Sequence, residues 1–179
     1  MSAVDEIMAS LPLDQIAARM GEDPAAVRRA SYAVLPALLG GLEANTRDPA
    51  GEASVAAALG QHHHEFGDGQ VDLGRVDPAD GDRIARHIFG PHHDDVVTRL
   101  GSTDGSPGLV AKLIPILAPI VLSYLAKRAG GSSGTVGSIL SQILAGAAEG
   151  MGHSSTGGGS GMGSILGDVL GGLLGAGRR

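Results

Sequence analysis

Histidine and carboxylate clusters are the residues in this sequence whose type and spacing could do chemistry. His62, His63, His64 and Glu65 form one cluster, His92, His93, Asp94 and Asp95 a second, and His87 lies between them. Neutral imidazole beside carboxylate suits zinc or another divalent cation. The spacing argues against it. Consecutive helical residues point about 100° apart, so three histidines in a row cannot converge on one ion. Helical ligand pairs need i,i+3 or i,i+4 spacing, which His62 and Glu65 have. Asp94 and Asp95 are expected to have no histidine at that spacing in their own helix. The expected role is a polar helix end, where cationic imidazole favours the C-terminal dipole. His87, one turn from Arg83, is expected to hydrogen-bond locally at a helix end, because no orienting group for a general base can be placed beside it. No catalytic, metal-binding or cofactor-binding residue is assigned.

Other chemistries fail on composition. Without cysteine, disulfides, thiol catalysis and Cys-ligated zinc are excluded. The GGGSG run at 157–161 lacks the strand and helix of a nucleophile elbow, and no phosphate-binding Gly-x-x-x-x-Gly-Lys-Ser/Thr run occurs. A net charge of −6 without a basic patch argues against nucleic acid. Two Phe, two Tyr and no Trp leave no stacking platform for single strands or sugars.

The elements that must position these residues read as helices. A first is predicted over 3–11 and a second over 13–20, with Pro12 between them and Gly21 closing the second. Asp23-Pro24 opens a longer helix to about residue 45, because Asp caps and Pro is pre-set for the first helical position. Its apolar face runs through Val27, Ser31, Val34, Leu35, Leu38 and Leu42, with a kink expected at Pro36. A helix over 52–65 follows, whose Ala53, Ala56, Ala57 and Leu59 would admit a close neighbour. Residues 66–81 are polar apart from an insert of Val71, Leu73 and Val76. Asp77-Pro78 starts the next helix by the same capping logic, and Gly90-Pro91 stops it. A short helix over 92–100 is expected to end at Gly101. Ser106-Pro107 then opens the most apolar segment.

That segment holds residues 113–126, LIPILAPIVLSYLA, 14 residues without a charge between Lys112 and Lys127-Arg128. A membrane span needs about 18–20 apolar residues. Runs nearer 14 are more often buried helices, and Pro115 and Pro119 interrupt this one. It is therefore expected to be a Pro-kinked central helix wrapped by the others, with Leu117, Ile120 and Val121 buried.

LPALLGGLEANT (35–46), DGDRIARHIFG (80–90) and KLIPILAPIVLSYLAKR (112–128), in that order and followed by a Gly/Leu-rich tail, resemble the bacterial domain-of-unknown-function family 937, grouped with YidB-like proteins. The resemblance covers roughly residues 10–128. It implies an all-α bacterial domain and supplies no catalytic residue, substrate or cofactor.

Composition changes after Arg128. Residues 1–128 hold 28 of the 32 Lys, Arg, Asp and Glu, whereas residues 129–179 hold 17 of the 30 glycines. The expected organisation is a helical globular domain over 1–128 and a Gly/Ser/Leu-rich tail over 129–179. Within that tail GSILSQIL (137–144) recurs as GSILGDVL (163–170) at a spacing of 26. Glycine costs about 1 kcal/mol per helical position relative to Ala, so neither copy should be a stable helix alone. Leu166, Val169, Leu170, Leu173 and Leu174 fall on one stripe, expected to order only when docked on a partner.

The expected fold is thus an all-α compact multi-helix bundle around a Pro-kinked apolar helix, with a low-complexity tail. The expected function is a non-enzymatic structural or interaction module that forms a homo-oligomer, or binds a protein partner, through that stripe. Asp5 and Glu6 stand where a signal peptide would carry positive charge, so the expected location is cytoplasmic. A His/Asp metal-dependent activity and membrane-surface association are the alternatives.

Overall fold

The computed structural model describes residues 2–61, 71–104, 106–130 and 135–151. These form eight α-helices: α1 Ala3–Ser10, α2 Leu13–Met20, α3 Pro24–Thr46, α4 Pro49–Gln61, α5 Pro78–Phe89, α6 His93–Asp104, α7 Pro107–Gly130 and α8 Val136–Met151. Among the described residues no extended strand occurs, and the all-α reading holds.

Capping sets the helix starts. The Asp23 carboxylate accepts from the Ala26 amide at 3.0 Å and Asp77 from the Ala79 amide at 2.9 Å, each followed by Pro in the first turn. Ser106 Oγ serves α7 in the same way, accepting from the Leu109 amide at 3.4 Å. Gly21, in the left-handed region at φ 69°, ends α2.

Among the described residues two helix boundaries differ by three residues or more from the sequence reading. Helix α4 begins at Pro49 rather than at 52, because Asp48 caps it through the Gly51 amide. Its buried residues are Val55 and Leu59, whereas Ala53, Ala56 and Ala57 face outward. Helix α6 runs past Gly101 to Asp104. Gly101 is buried there, and a Cβ on it would lie 2.4 Å from Pro107 Cα, so close packing accounts for this glycine rather than helix termination. Pro36 lies inside α3, which runs from Pro24 to Thr46.

At the centre stands α7, packed against α3, α4, α5, α6 and α8. Fourteen of its 24 residues are buried, including Leu117, Ile120 and Val121 at 0 % exposure. Its 24 residues are long and apolar enough to cross a membrane, so the length argument made from residues 113–126 does not stand. Burial by the surrounding helices separates it from an exposed span.

Two prolines, Pro115 and Pro119, lie inside α7. Pro119 has no amide to return to the Pro115 carbonyl. Beside that carbonyl Gly81 of α5 comes so close that a Cβ would lie 1.7 Å from the oxygen. Only a hydrogen fits there. The insert after α4 is pinned as well: Val71, Leu73 and Val76 are buried, the Val71 amide donates to Ser10 O at 3.3 Å, and Arg19 donates to Leu73 O at 2.9 Å.

Packing continues beyond the composition boundary at 128–129. Helix α8 lays Ile139, Leu140 and Ile143 into the same hydrophobic core as α3 and α7.

Candidate functional site: the groove holding the first C-terminal repeat

The first repeat seats in a groove of α1, α3, α4 and α7. Leu140 is fully buried, Ile139 and Ile143 are 7 % exposed, and Val136 and Leu144 pack partly buried at the edges. Ser138, Ser141 and Gln142 face outward. The eight-residue segment thus meets the core at i, i+1 and i+4, one face of a helix.

Its N-terminus is held electrostatically. Glu52 of α4 accepts from the Gly137 amide at 3.1 Å, placing a carboxylate where the unpaired helical N–H groups point. A Cβ on Gly137 would lie 3.3 Å from Thr46 Oγ1 and 3.4 Å from Glu52 Oε1. Glycine at this position lets the backbone approach both α3 and α4. Thr135 caps the same turn through the Ser138 amide at 3.3 Å. Glu52 carried no sequence signal for this role, since 85 residues separate it from Gly137.

A second polar cluster ties α1 to the end of α7. The Tyr124 hydroxyl donates to Glu6 Oε2 at 2.6 Å and Arg128 donates to the same oxygen at 2.8 Å. Arg128 also donates to the Tyr124 hydroxyl, and its guanidinium carbon lies 5.6 Å from the centre of the Tyr124 ring. Burial and the hydrogen bond to Glu6 push the Tyr124 phenol up to about 12. A phenol held protonated in this way is a structural donor and a poor general base.

The histidine clusters come out differently from each other. His62, His63, His64 and Glu65 lie outside the described residues. His92 Nδ1, in the 3-10 turn over 90–92 that precedes α6, approaches Asp95 Oδ2 at 3.9 Å and i,i+3 spacing, while α6 itself holds no histidine at that spacing to Asp94 or Asp95. The contact is exposed and loose. His93 Nδ1 meets the adjacent Asp94 at 3.2 Å, its ring tilts against Phe89, and its buried Nε2 has no hydrogen-bond partner among the described residues. His87 is exposed and its Nε2 lies 2.9 Å from Ser54 Oγ on α4, so its bond is not local but spans two helices. Among the described residues no group of three or more His, Asp or Glu is placed to hold a metal ion. Leu166, Val169, Leu170, Leu173 and Leu174, expected to bind a partner, lie outside the described residues.

The three segments that carried the family resemblance meet one another inside the fold. Gly41, in the first, faces Ile88 and Phe89, in the second, with a Cβ position 2.5 Å from Ile88 Cγ2. Asn45 Nδ2 joins the same two segments, donating to Gly41 O and Ile88 O at 3.0 Å each. Gly81, also in the second, presses on Pro115 in the third. A family model described as "Bacterial protein of unknown function (DUF937)" matches residues 4–128, more than half the chain. The chain belongs to this family. No curated protein and no solved structure matches it. The family match ends at 128, so α8 and the second repeat lie beyond it while α8 shares the core.

Proposed function

We propose that this member of the family is a non-enzymatic interaction module of the bacterial cytoplasm that self-associates through its C-terminal Gly/Leu-rich segment. One observation supports the reading above the others. The chain carries two matching apolar segments, and the groove described here is filled by one of them, α8. The stripe of Leu166, Val169, Leu170, Leu173 and Leu174 is then left to seek burial elsewhere, and a second copy offers a surface of the right kind. The family motifs support a non-catalytic role, because their distinctive Gly, Asn and Pro residues are engaged in helix packing.

Solution mass across a wide concentration range tests this. The full chain should form a dimer or larger species, whereas a chain ending at Met151, which keeps α8, should be monomeric. Truncation after Arg128 would remove α8 from the core and is the wrong comparison. Leu170→Asp with Leu173→Asp in the full chain should reproduce the Met151 result. Equal oligomeric states throughout would overturn the reading.

A further inference from the structure

We infer that the groove now holding residues 137–144 also accepts residues 163–170 of the same chain, so that the two repeats are alternative occupants of one site. The repeat keeps the positions that face the groove. Residues Gly137, Ser138, Ile139, Leu140 and Leu144 recur unchanged as Gly163, Ser164, Ile165, Leu166 and Leu170. Ile143 becomes Val169, which keeps a β-branched aliphatic at a buried position. The two remaining differences, Ser141 to Gly167 and Gln142 to Asp168, fall at the two adjacent exposed positions of the docked helix. Even the residue before the repeat stays apolar, Val136 against Met162, and Val136 packs partly buried.

All but one methylene of the buried face is therefore available to the second segment. Gly163 can bring its backbone amide to Glu52 and Thr46 as Gly137 does, and Leu166 can fill the place of the fully buried Leu140. Residues 131–162, 32 in all, tether the second segment to the end of α7; a flexible chain of that length has a root-mean-square reach of about 31 Å, which keeps the segment at high effective concentration beside the site. An occupant from a second copy has no such advantage.

The two occupants are not equal. Val169 lacks a methylene of Ile143, Gly167 and Gly171 replace Ser141 and Ala145, and Gly161 stands where Thr135 caps. These losses together place the second occupant about a hundredfold below the first. The exchange holds whether or not the chain self-associates: it decides which segment is docked and which is presented.

Absence of cysteine makes a direct test possible. A Cβ on Gly137 would lie 3.5 Å from Thr46 Cβ, within the separation a disulfide spans. In the full-length protein at low concentration, Thr46→Cys with Gly137→Cys should oxidise readily to an intrachain bond. Thr46→Cys with Gly163→Cys should also form an intrachain bond, more slowly, yet about tenfold faster than Thr46→Cys with Ser154→Cys, which is tethered without a docking sequence. Adding Leu140→Asp should speed the 163 reaction and slow the 137 reaction, because it expels the first occupant. A 163 rate no higher than the 154 rate would overturn the proposal. So would disulfide-linked dimers in place of the intrachain product, which would assign the groove to the segment of a second copy. Should Leu140→Asp prevent folding, the comparison of the 163 and 154 pairs decides alone. Solution mass of the unmodified chain reads self-association separately.

Discussion

Helices α7 and α8 are both apolar, yet they join the core in different ways. Helix α7 is buried on nearly all sides, with fourteen buried residues in 24. Helix α8 inserts Ile139, Leu140 and Ile143 and leaves Ser138, Ser141 and Gln142 outside. An all-round core helix carries its information in composition, so many aliphatic sequences would serve provided volume is kept. A one-sided helix carries it in the spacing of a few positions, and a pattern that short can be copied 26 residues further on. The comparison also separates two kinds of glycine: Gly81 of α5 is fixed by the backbone of α7, whereas Gly146 of α8 has open space where a Cβ would stand.

The largest effect that would break this contrast is expected at Leu117. Leu117→Ala should cost about 2–5 kcal/mol, a large share of a typical domain's stability of about 5–15 kcal/mol. Chemical denaturation measures it, and a change within error would show that α7 is not the centre. Next comes Gly81→Ala, whose new Cβ would meet the Pro115 carbonyl of α7. Because that atom is backbone and cannot swing aside, a loss of about 2–3 kcal/mol is expected by the same measurement. No loss would mean that α5 and α7 can separate freely.

Leu140→Ala should cost less, about 2 kcal/mol, near the lower end for a buried leucine. Helix α8 can undock and α3 can relax, so the penalty cannot exceed the docking free energy of α8. Hydrogen exchange should show the loss confined to α8 and its groove. A cost equal to that of Leu117→Ala would merge the two classes.

The smallest effect is at the Glu6–Tyr124–Arg128 cluster. Tyr124→Phe should cost about 1.5 kcal/mol at neutral pH, the scale of a hydrogen bond to a charged group. With the folded phenol pushed up to about 12 and an ordinary value near 10, folding favours the protonated form. Its contribution is complete below pH 10 and lost as pH rises from about 10 to 12. Melting temperature against pH should therefore fall less steeply across that window in Tyr124→Phe than in the parent. Parallel curves would place the phenol outside the cluster.

Much of the helical framework was legible because its signals are local. Asp23-Pro24, Asp77-Pro78 and Ser106-Pro107 mark helix starts through caps made within three residues, and the structure shows those bonds. The centrality of α7 followed from its unbroken apolar run. Where local signals misled, contacts between elements, or their absence, decided the outcome. Gly101 reads as a stop yet lies within α6 because Pro107 presses on it, and the alanines of α4 read as a packing face yet point outward. His87 reads as locally bonded yet reaches Ser54.

The sequence alone determined that this chain is helical, where most of its helices begin, and that an aliphatic segment lies at its centre, because capping and apolar periodicity act over a few residues. The repeat at 137–144 and 163–170 was equally visible there. Only the tertiary structure decided that the first copy belongs to the core and which of its positions matter. Those facts depend on Glu52, Thr46 and the α3 surface, tens of residues away in the chain and brought to Gly137 and Leu140 by folding.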